Sequence, residues 1–202
     1  FFAIFVSIPW ALITASRAGK PSDRVSTLNA FFLVAMPNFA LAIILKYIFS
    51  IRLGWMPLTY VADDPLKSRL WQMILPALTI GLPVAAVYQR LLRTDIITTL
   101  QQDFILLART KGLSRRRILL IHALRPSLFS FITVVGLNTG ALIGGSIVSE
   151  TVFRIPGIGS TLVESVLRND FPVVLAIVMI VASSFVVINL LVDFAYTLID
   201  PR

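Results

Sequence analysis

DFILLARTKGLSRRRILLIHALRP, residues Asp103 to Pro126, is a strongly basic segment between two long apolar segments. It holds six of the chain's 18 lysine and arginine residues and its only histidine, His122. The apolar run near its start, Phe104 to Ala108, is far too short to span a bilayer. The segment is therefore predicted to form a loop at a membrane surface.

Two short helices are predicted within this loop, one on each side of a glycine. Asp103 can cap the first helix by accepting from the free amide groups of its first turn. Gly112 can take the left-handed conformation that ends a helix, and Leu113 can close that end with an apolar contact. Ser114 can cap the second helix, which starts with Arg115-Arg116-Arg117. Three cations at a helix N-terminus oppose the helix dipole, so the cluster indicates another role, such as contact with anionic lipid headgroups.

The composition indicates an integral membrane protein. Of the 202 residues, 57% are hydrophobic and only 14% are charged, whereas a soluble fold of this length needs more polar surface. The net charge of +8 is explained better by its distribution among the loops than by nucleic acid, so no nucleic-acid partner is expected. The chain has no cysteine, which excludes disulfides, thiolate metal sites and a cysteine nucleophile.

Five apolar segments are predicted to enter or cross the bilayer. They cover residues 1–15, 28–49, 72–92, 127–148 and 172–192. The first is too short for a complete span, so the natural N-terminus is expected upstream. Pro126 is predicted to interrupt the helix at the start of the fourth segment. Lys46, near the end of the second segment, is expected to extend to the lipid headgroups.

The charges of the loops predict an orientation. Loops 16–24 and 89–127, together with the C-terminus, carry 12 basic residues, against five in loops 51–71 and 150–171. Because positive loops stay in the cytoplasm, segment 103–126 and the C-terminus are predicted to be cytoplasmic. Loops 51–71 and 150–171 are then extracytoplasmic.

The fourth and fifth apolar segments contain candidates for helix packing and for a transport pathway. Gly136, Gly140 and Gly144 are spaced four residues apart and share one helix face, which allows another helix to approach closely. This face could be a subunit interface, a mobile gate or ordinary packing within the bundle. The pathway candidates are polar residues in apolar segments: Asn138, Ser146 and Asn189.

The sequence lacks motifs for catalysis. It has no GxxxxGK[ST] phosphate loop, since Gly19-Lys20 is followed by Pro21, and it has no HExxH or GxSxG. One histidine and no cysteine argue against a metal cage. Acidic residues avoid the centres of the apolar segments, which argues against an ion-driven carrier. We therefore expect no catalytic, cofactor-binding or metal-binding residue and no enzyme activity in this chain.

Segment 103–126 resembles the cytoplasmic coupling loop, or EAA loop, of the permease subunits of bacterial ABC importers, in the version found in dipeptide and oligopeptide permeases. The matching residues are Asp103, Phe104, Ala108, Arg109, Lys111, Gly112, Leu113, Ser114, His122, Ala123, Leu124 and Arg125. The general motif has Glu-Ala-Ala where this chain has Leu106, Leu107 and Ala108. Further similar segments are LGWMP (53–57), LPALTIGLP (75–83), ETVFRIPGIG (150–159), NDFP (169–172) and NLLVDFAYTLIDPR (189–202), so the resemblance covers essentially the whole chain.

The resemblance implies an all-α membrane bundle of about five spans here, with one further family helix before residue 1. In the family, the short helix before the glycine sits in a groove of an ATPase subunit, which implies a coupling helix within residues 103–113. The implied coupling residues are Asp103, Phe104, Leu107, Ala108, Arg109, Lys111 and Gly112. The pattern alone allows another interpretation, in which the apolar run packs beneath its own bundle.

The implied complex lies in the bacterial inner membrane. It contains a second homologous permease, two ATPases that bind ATP and magnesium, and an extracytoplasmic substrate-binding protein. This chain would form half of a pathway for dipeptides or oligopeptides, and nickel chelates and glutathione are alternative substrates within the family. Outside the family, the alternatives are an ion-driven secondary transporter and a membrane scaffold that transports nothing.

Overall fold

Helices are the only regular elements in the described part of the chain, which confirms the predicted all-α fold. The computed structural model describes residues 1–199, without the side chains of residues 140–145, 193 and 195–199. The first helices are α1 (Phe2–Ser16), α2 (Pro21–Ala35), α3 (Asn38–Leu45), a π-helical segment π1 (Lys46–Arg52), α4 (Leu66–Gln72) and α5 (Ile74–Leu100). The remainder are α6 (Asp103–Thr110), α7 (Arg115–Arg117), π2 (Ile118–Ala123), α8 (Leu124–Gly145), α9 (Ile147–Phe153), α10 (Ile158–Leu167) and α11 (Phe171–Ile199).

Three helical stretches among the described residues are long and apolar enough to cross a membrane. They are Leu66–Leu100, Arg115–Thr139 and Phe171–Val192. A fourth crossing results if Pro21–Ala35 and Asn38–Arg52 form one bent span. The helix α1 is apolar but short, with 15 residues. By length and composition, the chain is thus suited to cross a bilayer several times.

The predicted segment 28–49 is not one continuous helix. The helix α2 ends at Ala35, and α3 begins at Asn38 after Pro37. Proline has no N–H to continue the helical ladder, and its ring disfavours helical geometry in the preceding residue. The break therefore follows from Met36-Pro37, within a segment that was predicted as a single span.

The chain divides into two compact units, with boundaries inside α5 and α8. The first unit combines Phe1–Ala35 with Gly81–Val135, and the second combines Met36–Ile80 with the residues from Gly136 onward. The first unit has a core in which small side chains allow helix backbones to approach closely. It consists of Ala3, Ala11, Ala15, Ala85, Tyr88, Leu92, Ile96, Ala123 and Phe131. Tyr88 and Phe131 meet edge to face, with ring centroids 5.5 Å apart.

An ion pair fixes the turn between α1 and α2 to the latter part of α5. The Nε and NH2 groups of Arg93 donate to the two carboxylate oxygens of Asp23, at 2.7 and 2.6 Å. The Gly19 N–H donates to the same carboxylate at 2.9 Å. Asp23 is only 4% exposed, so its charge is satisfied almost entirely by these groups.

Asp23→Asn is expected to lower the free energy of unfolding by about 2 kcal/mol, because the partly buried Arg93 would lose its counter-charge. The measurement is thermal unfolding of the purified protein in detergent. The matched control is Glu164→Gln, which breaks the exposed Glu164–Arg168 pair on α10 and should cost less than about 0.5 kcal/mol. Equal losses in the two variants would contradict a structural role for the Asp23–Arg93 pair.

In the second unit, α9 contacts both α3 and α10, and α10 contacts α11. The carbonyl groups at the end of α9 have no partners within the helix and need donors from elsewhere. Lys46 Nζ donates to the Val152 carbonyl at 2.9 Å, and the Tyr60 N–H donates to the Phe153 carbonyl at 3.0 Å. The expectation that Lys46 extends to the headgroups is therefore wrong, because its ammonium group binds a helix end instead.

Candidate functional site

The coupling segment begins with α6, and its first residue differs from the predicted cap. Gln102 is the N-cap, with an extended backbone, and no side-chain hydrogen bond caps this end of the helix. Asp103 already lies in the first turn, so the prediction that it caps α6 is wrong by one residue. Its carboxylate is still favourable there, because a negative charge near a helix N-terminus complements the dipole.

The other end of α6 is closed as the sequence predicted. Gly112 has a φ of +75°, in the left-handed region. Its N–H donates to the Arg109 carbonyl at 3.0 Å, and the Leu113 N–H donates to the Ala108 carbonyl at 3.3 Å. These two bonds form a Schellman motif, and Leu113 adds the apolar contact that usually accompanies it. The helix therefore ends at a defined point with its carbonyl groups satisfied.

The helix α6 has one buried face and one exposed face. Ile105 and Ala108 are 1% and 7% exposed and pack with Ile118 of π2. On the exposed face, Phe104 and Leu107 are 46% and 62% exposed. The interpretation in which the apolar run packs within its own chain thus applies to Ile105 and Ala108, while docking on an ATPase stays a prediction for the exposed residues. Ala108 supports the helix from within its own chain, and other residues form the surface that a partner could reach.

The basic helix after the glycine begins where the sequence predicted. The Arg117 N–H donates to Ser114 Oγ at 3.4 Å, which confirms the predicted cap. The helical path then continues through π2 into α8 without a break, so the prediction that Pro126 interrupts it is wrong. A widened π turn directly before a proline relieves the clash of its ring with the preceding turn.

The arginines of this segment have few partners. Arg115 NH2 donates to the Ser16 carbonyl at 2.8 Å, which links α7 to the end of α1. Among the described residues, no carboxylate forms an ion pair with Arg109, Arg115, Arg116 or Arg117. The surface around α6 and α7 therefore carries a positive charge that no carboxylate in the described part of the chain neutralises.

The predicted glycine face is described only in part. A Cβ on Gly136 would overlap the Val192 side chain of α11, so glycine at this position permits a close helix contact within the second unit. The surroundings of Gly140 and Gly144 lie outside the described side chains. Among the pathway candidates, Asn189 has a buried Oδ1 for which the described residues provide no hydrogen-bond partner. The assignment of Asn138, Ser146 and Asn189 to a pathway stays a prediction.

Glu150 is a structurally important residue that the sequence analysis missed. Its Oε2 accepts from the Gly159 and Ser160 N–H groups, at 2.8 and 3.0 Å, and its Oε1 accepts from Ser146 Oγ at 2.8 Å. The carboxylate thus holds the start of α10 against α9. The available signal was a glutamate followed within ten residues by Gly-Ile-Gly, residues 157–159. A Cβ at Gly157 or Gly159 would overlap the Glu150 carboxylate, so glycine at these positions leaves space for it.

Comparison with known proteins identifies the class of membrane protein to which this chain belongs. Residues 7–202 match the family described as binding-protein-dependent transport system inner membrane component. The chain therefore belongs to this family. The match confirms the resemblance to ABC importer permeases that was based on segment 103–126.

Individual relatives are similar over nearly the whole chain. A glutathione transport system permease protein of Pectobacterium atrosepticum is 41% identical over 209 residues, which include 100% of this chain and 66% of the relative. The protein of the same name from Escherichia coli strain K12 is 40% identical over 204 residues, which include 96% of this chain and 64% of the relative. The chain thus spans just under two thirds of the length of these relatives.

Proposed function

We propose that this chain is the permease subunit of an ATP-driven importer and docks on a cytoplasmic ATPase through α6. The observation that carries the proposal is the division of α6 into two faces. Ile105 and Ala108 anchor the helix to its own chain, while Phe104 and Leu107 leave an apolar surface exposed. An apolar surface on a loop between membrane segments gains free energy when a partner buries it.

The anchoring also makes α6 suitable as a lever. Its buried residues contact Ile118 and Leu100, so α6 is tied to the helices on both sides of it in the chain. The Schellman motif at Gly112 fixes where the lever ends. A partner that moves α6 can therefore shift these helices between two states, as alternating access requires.

The proposed complex contains a second homologous permease, two ATPases and an extracytoplasmic substrate-binding protein. ATP and magnesium bind to the ATPases, and this chain needs no cofactor of its own. The excess of arginine and lysine in residues 89–127 supports a cytoplasmic position for α6, in an inner membrane that the chain crosses several times.

We infer that the substrate is glutathione, or a short peptide like it. The sequence favoured dipeptides and oligopeptides, with glutathione as an alternative, and the names of the relatives favour the alternative. Their identity of about 40% extends over almost all of this chain, including the segments outside the coupling loop.

Uptake into proteoliposomes tests the proposal. The full-length permease is reconstituted with its permease partner, its ATPases and its binding protein, and uptake of labelled glutathione, a dipeptide and a nickel chelate is compared. We expect glutathione uptake that requires both ATP and the ATPases. ATP-dependent uptake of the dipeptide alone would correct the substrate only. Uptake driven by an ion gradient without the ATPases would contradict the importer assignment.

A further inference from the structure

A cleft lies beside the coupling helix, in the first unit of the chain. Its volume is about 420 Å³, and it is bounded by the end of α1, the end of α5 and the segment from α6 to π2. Two arginines line it, Arg109 and Arg115. The rest of the lining is mainly apolar and includes Leu100, Leu113 and Leu119. The cleft thus combines a cationic part with an apolar part.

The two arginines are not neutralised within the described residues. Arg115 binds the uncharged Ser16 carbonyl, and Arg109 has no side-chain hydrogen bond or ion pair there. Asp23, in the first turn of α2, is already bound to Arg93. Asp103 lies with Arg109 along an adjoining cleft without pairing with it. Two cations side by side repel each other, so the site favours an anionic ligand.

The apolar lining restricts what kind of anion fits. Inorganic phosphate would leave Leu113 and Leu119 uncovered, whereas an amphiphilic anion would cover them and gain free energy from the buried apolar area. The planar guanidinium group is matched to phosphate oxygens, which it can bind with two parallel hydrogen bonds. In the proposed orientation, with α6 in the cytoplasm, the cleft would also lie near the anionic cytoplasmic leaflet.

We propose that this cleft binds one anionic phospholipid, with its phosphate between Arg109 and Arg115 and its glycerol and upper acyl chain on the leucines. The lipid would contact both the C-terminal end of α1 and the C-terminal end of α6. The site is independent of the proposed substrate and of the docking face, since Phe104 and Leu107 do not line the cleft.

Native mass spectrometry of the full-length permease in detergent, titrated with dioleoyl-phosphatidylglycerol, tests the proposal. Arg115→Gln should weaken binding of this lipid by about fivefold to tenfold. The matched control is Arg116→Gln, on the same turn but outside the cleft, which should change binding by less than about twofold. Arg115→Lys keeps the charge but lacks the planar guanidinium group, so its affinity for this lipid should lie between those of the two glutamine variants.

Four results distinguish the proposal from its alternatives. Phosphatidylcholine should bind at least about fivefold more weakly than phosphatidylglycerol, since its headgroup has no net charge. Equal losses in Arg115→Gln and Arg116→Gln would show diffuse attraction to the surface and overturn a specific site. Displacement of the lipid by equimolar inorganic phosphate would show a simple anion site. Unchanged lipid binding in Arg115→Gln with weaker binding of the ATPase would assign the arginine to the protein partner.

Discussion

Leu107→Asp is expected to leave the permease inserted in the membrane but to weaken its association with the ATPase by about a hundredfold or more. Leu107 is 62% exposed, so the substitution does not disturb the chain's own packing. Loss of the buried leucine costs the complex ~1.5–3 kcal/mol, and desolvation of an unpaired carboxylate costs at least ~1–3 kcal/mol more. Co-purification of the ATPase with the detergent-solubilised permease measures the effect, and transport should be lost with it.

Leu106→Asp is the matched control. Leu106 is as exposed as Leu107, at 61%. It lines the adjoining cleft that also contains Asp103 and Arg109, rather than the side of α6 formed by Phe104 and Leu107. The same charge at this adjacent position should weaken association by less than about threefold. If both variants retain the ATPase, or if both lose it equally, the Phe104–Leu107 face is not the docking surface.

Gly112→Val is expected to abolish the coupling between transport and ATP hydrolysis while the complex still assembles. A Cβ at Gly112 would meet no atom within 4 Å, so the cost comes from the backbone alone. Holding a β-branched residue at a φ of +75° costs at least ~1–2 kcal/mol, and the Schellman motif relaxes to relieve it. ATP hydrolysis should then no longer respond to substrate. Glutathione uptake should fall by at least about tenfold, because a loosened α6 no longer transmits the motion of the ATPase to the neighbouring helices.

Two controls separate the lever from general strain. Gly112→Asn should retain most of the coupling, because asparagine tolerates the left-handed conformation best among the residues with a side chain. Gly54→Val places the same strain in another loop, at a φ of +64° with no neighbouring atom within 4 Å. Substrate-stimulated hydrolysis is measured for each. Full stimulation in Gly112→Val would show that the cap does not matter for coupling.

Features that depend on a few neighbouring residues could be predicted from the sequence. The left-handed Gly112 and the Ser114 cap each involve partners within five residues, so residue type and spacing determine them. The break at Pro37 also has a local cause, but segment 28–49 was predicted as one span, so the end of the helix at this proline was missed. The all-helical fold follows from apolar segments of membrane-spanning length, which satisfy their backbone groups internally.

Features that depend on distant residues could not be predicted. Lys46 binds a carbonyl 106 positions away in the chain, and nothing near Lys46 indicates Val152. The burial of Ala108 depends on how π2 folds back against α6. Pro126 was expected to end a helix, yet a wider turn upstream accommodates it, and such a turn has no simple sequence signature. The contacts of Lys46 and Ala108 are tertiary effects, and propensity and periodicity do not encode them.

The carboxylate of Glu150 has a consequence for how the chain is made. Its three partners, Ser146, Gly159 and Ser160, all lie within ten positions of it. Such short-range contacts form quickly and do not need distant parts of the sequence. The charge of Glu150 can therefore be satisfied by its own hairpin once residue 160 has left the ribosomal tunnel. The α9–α10 pair can then form as a local unit before α11 emerges from the ribosome.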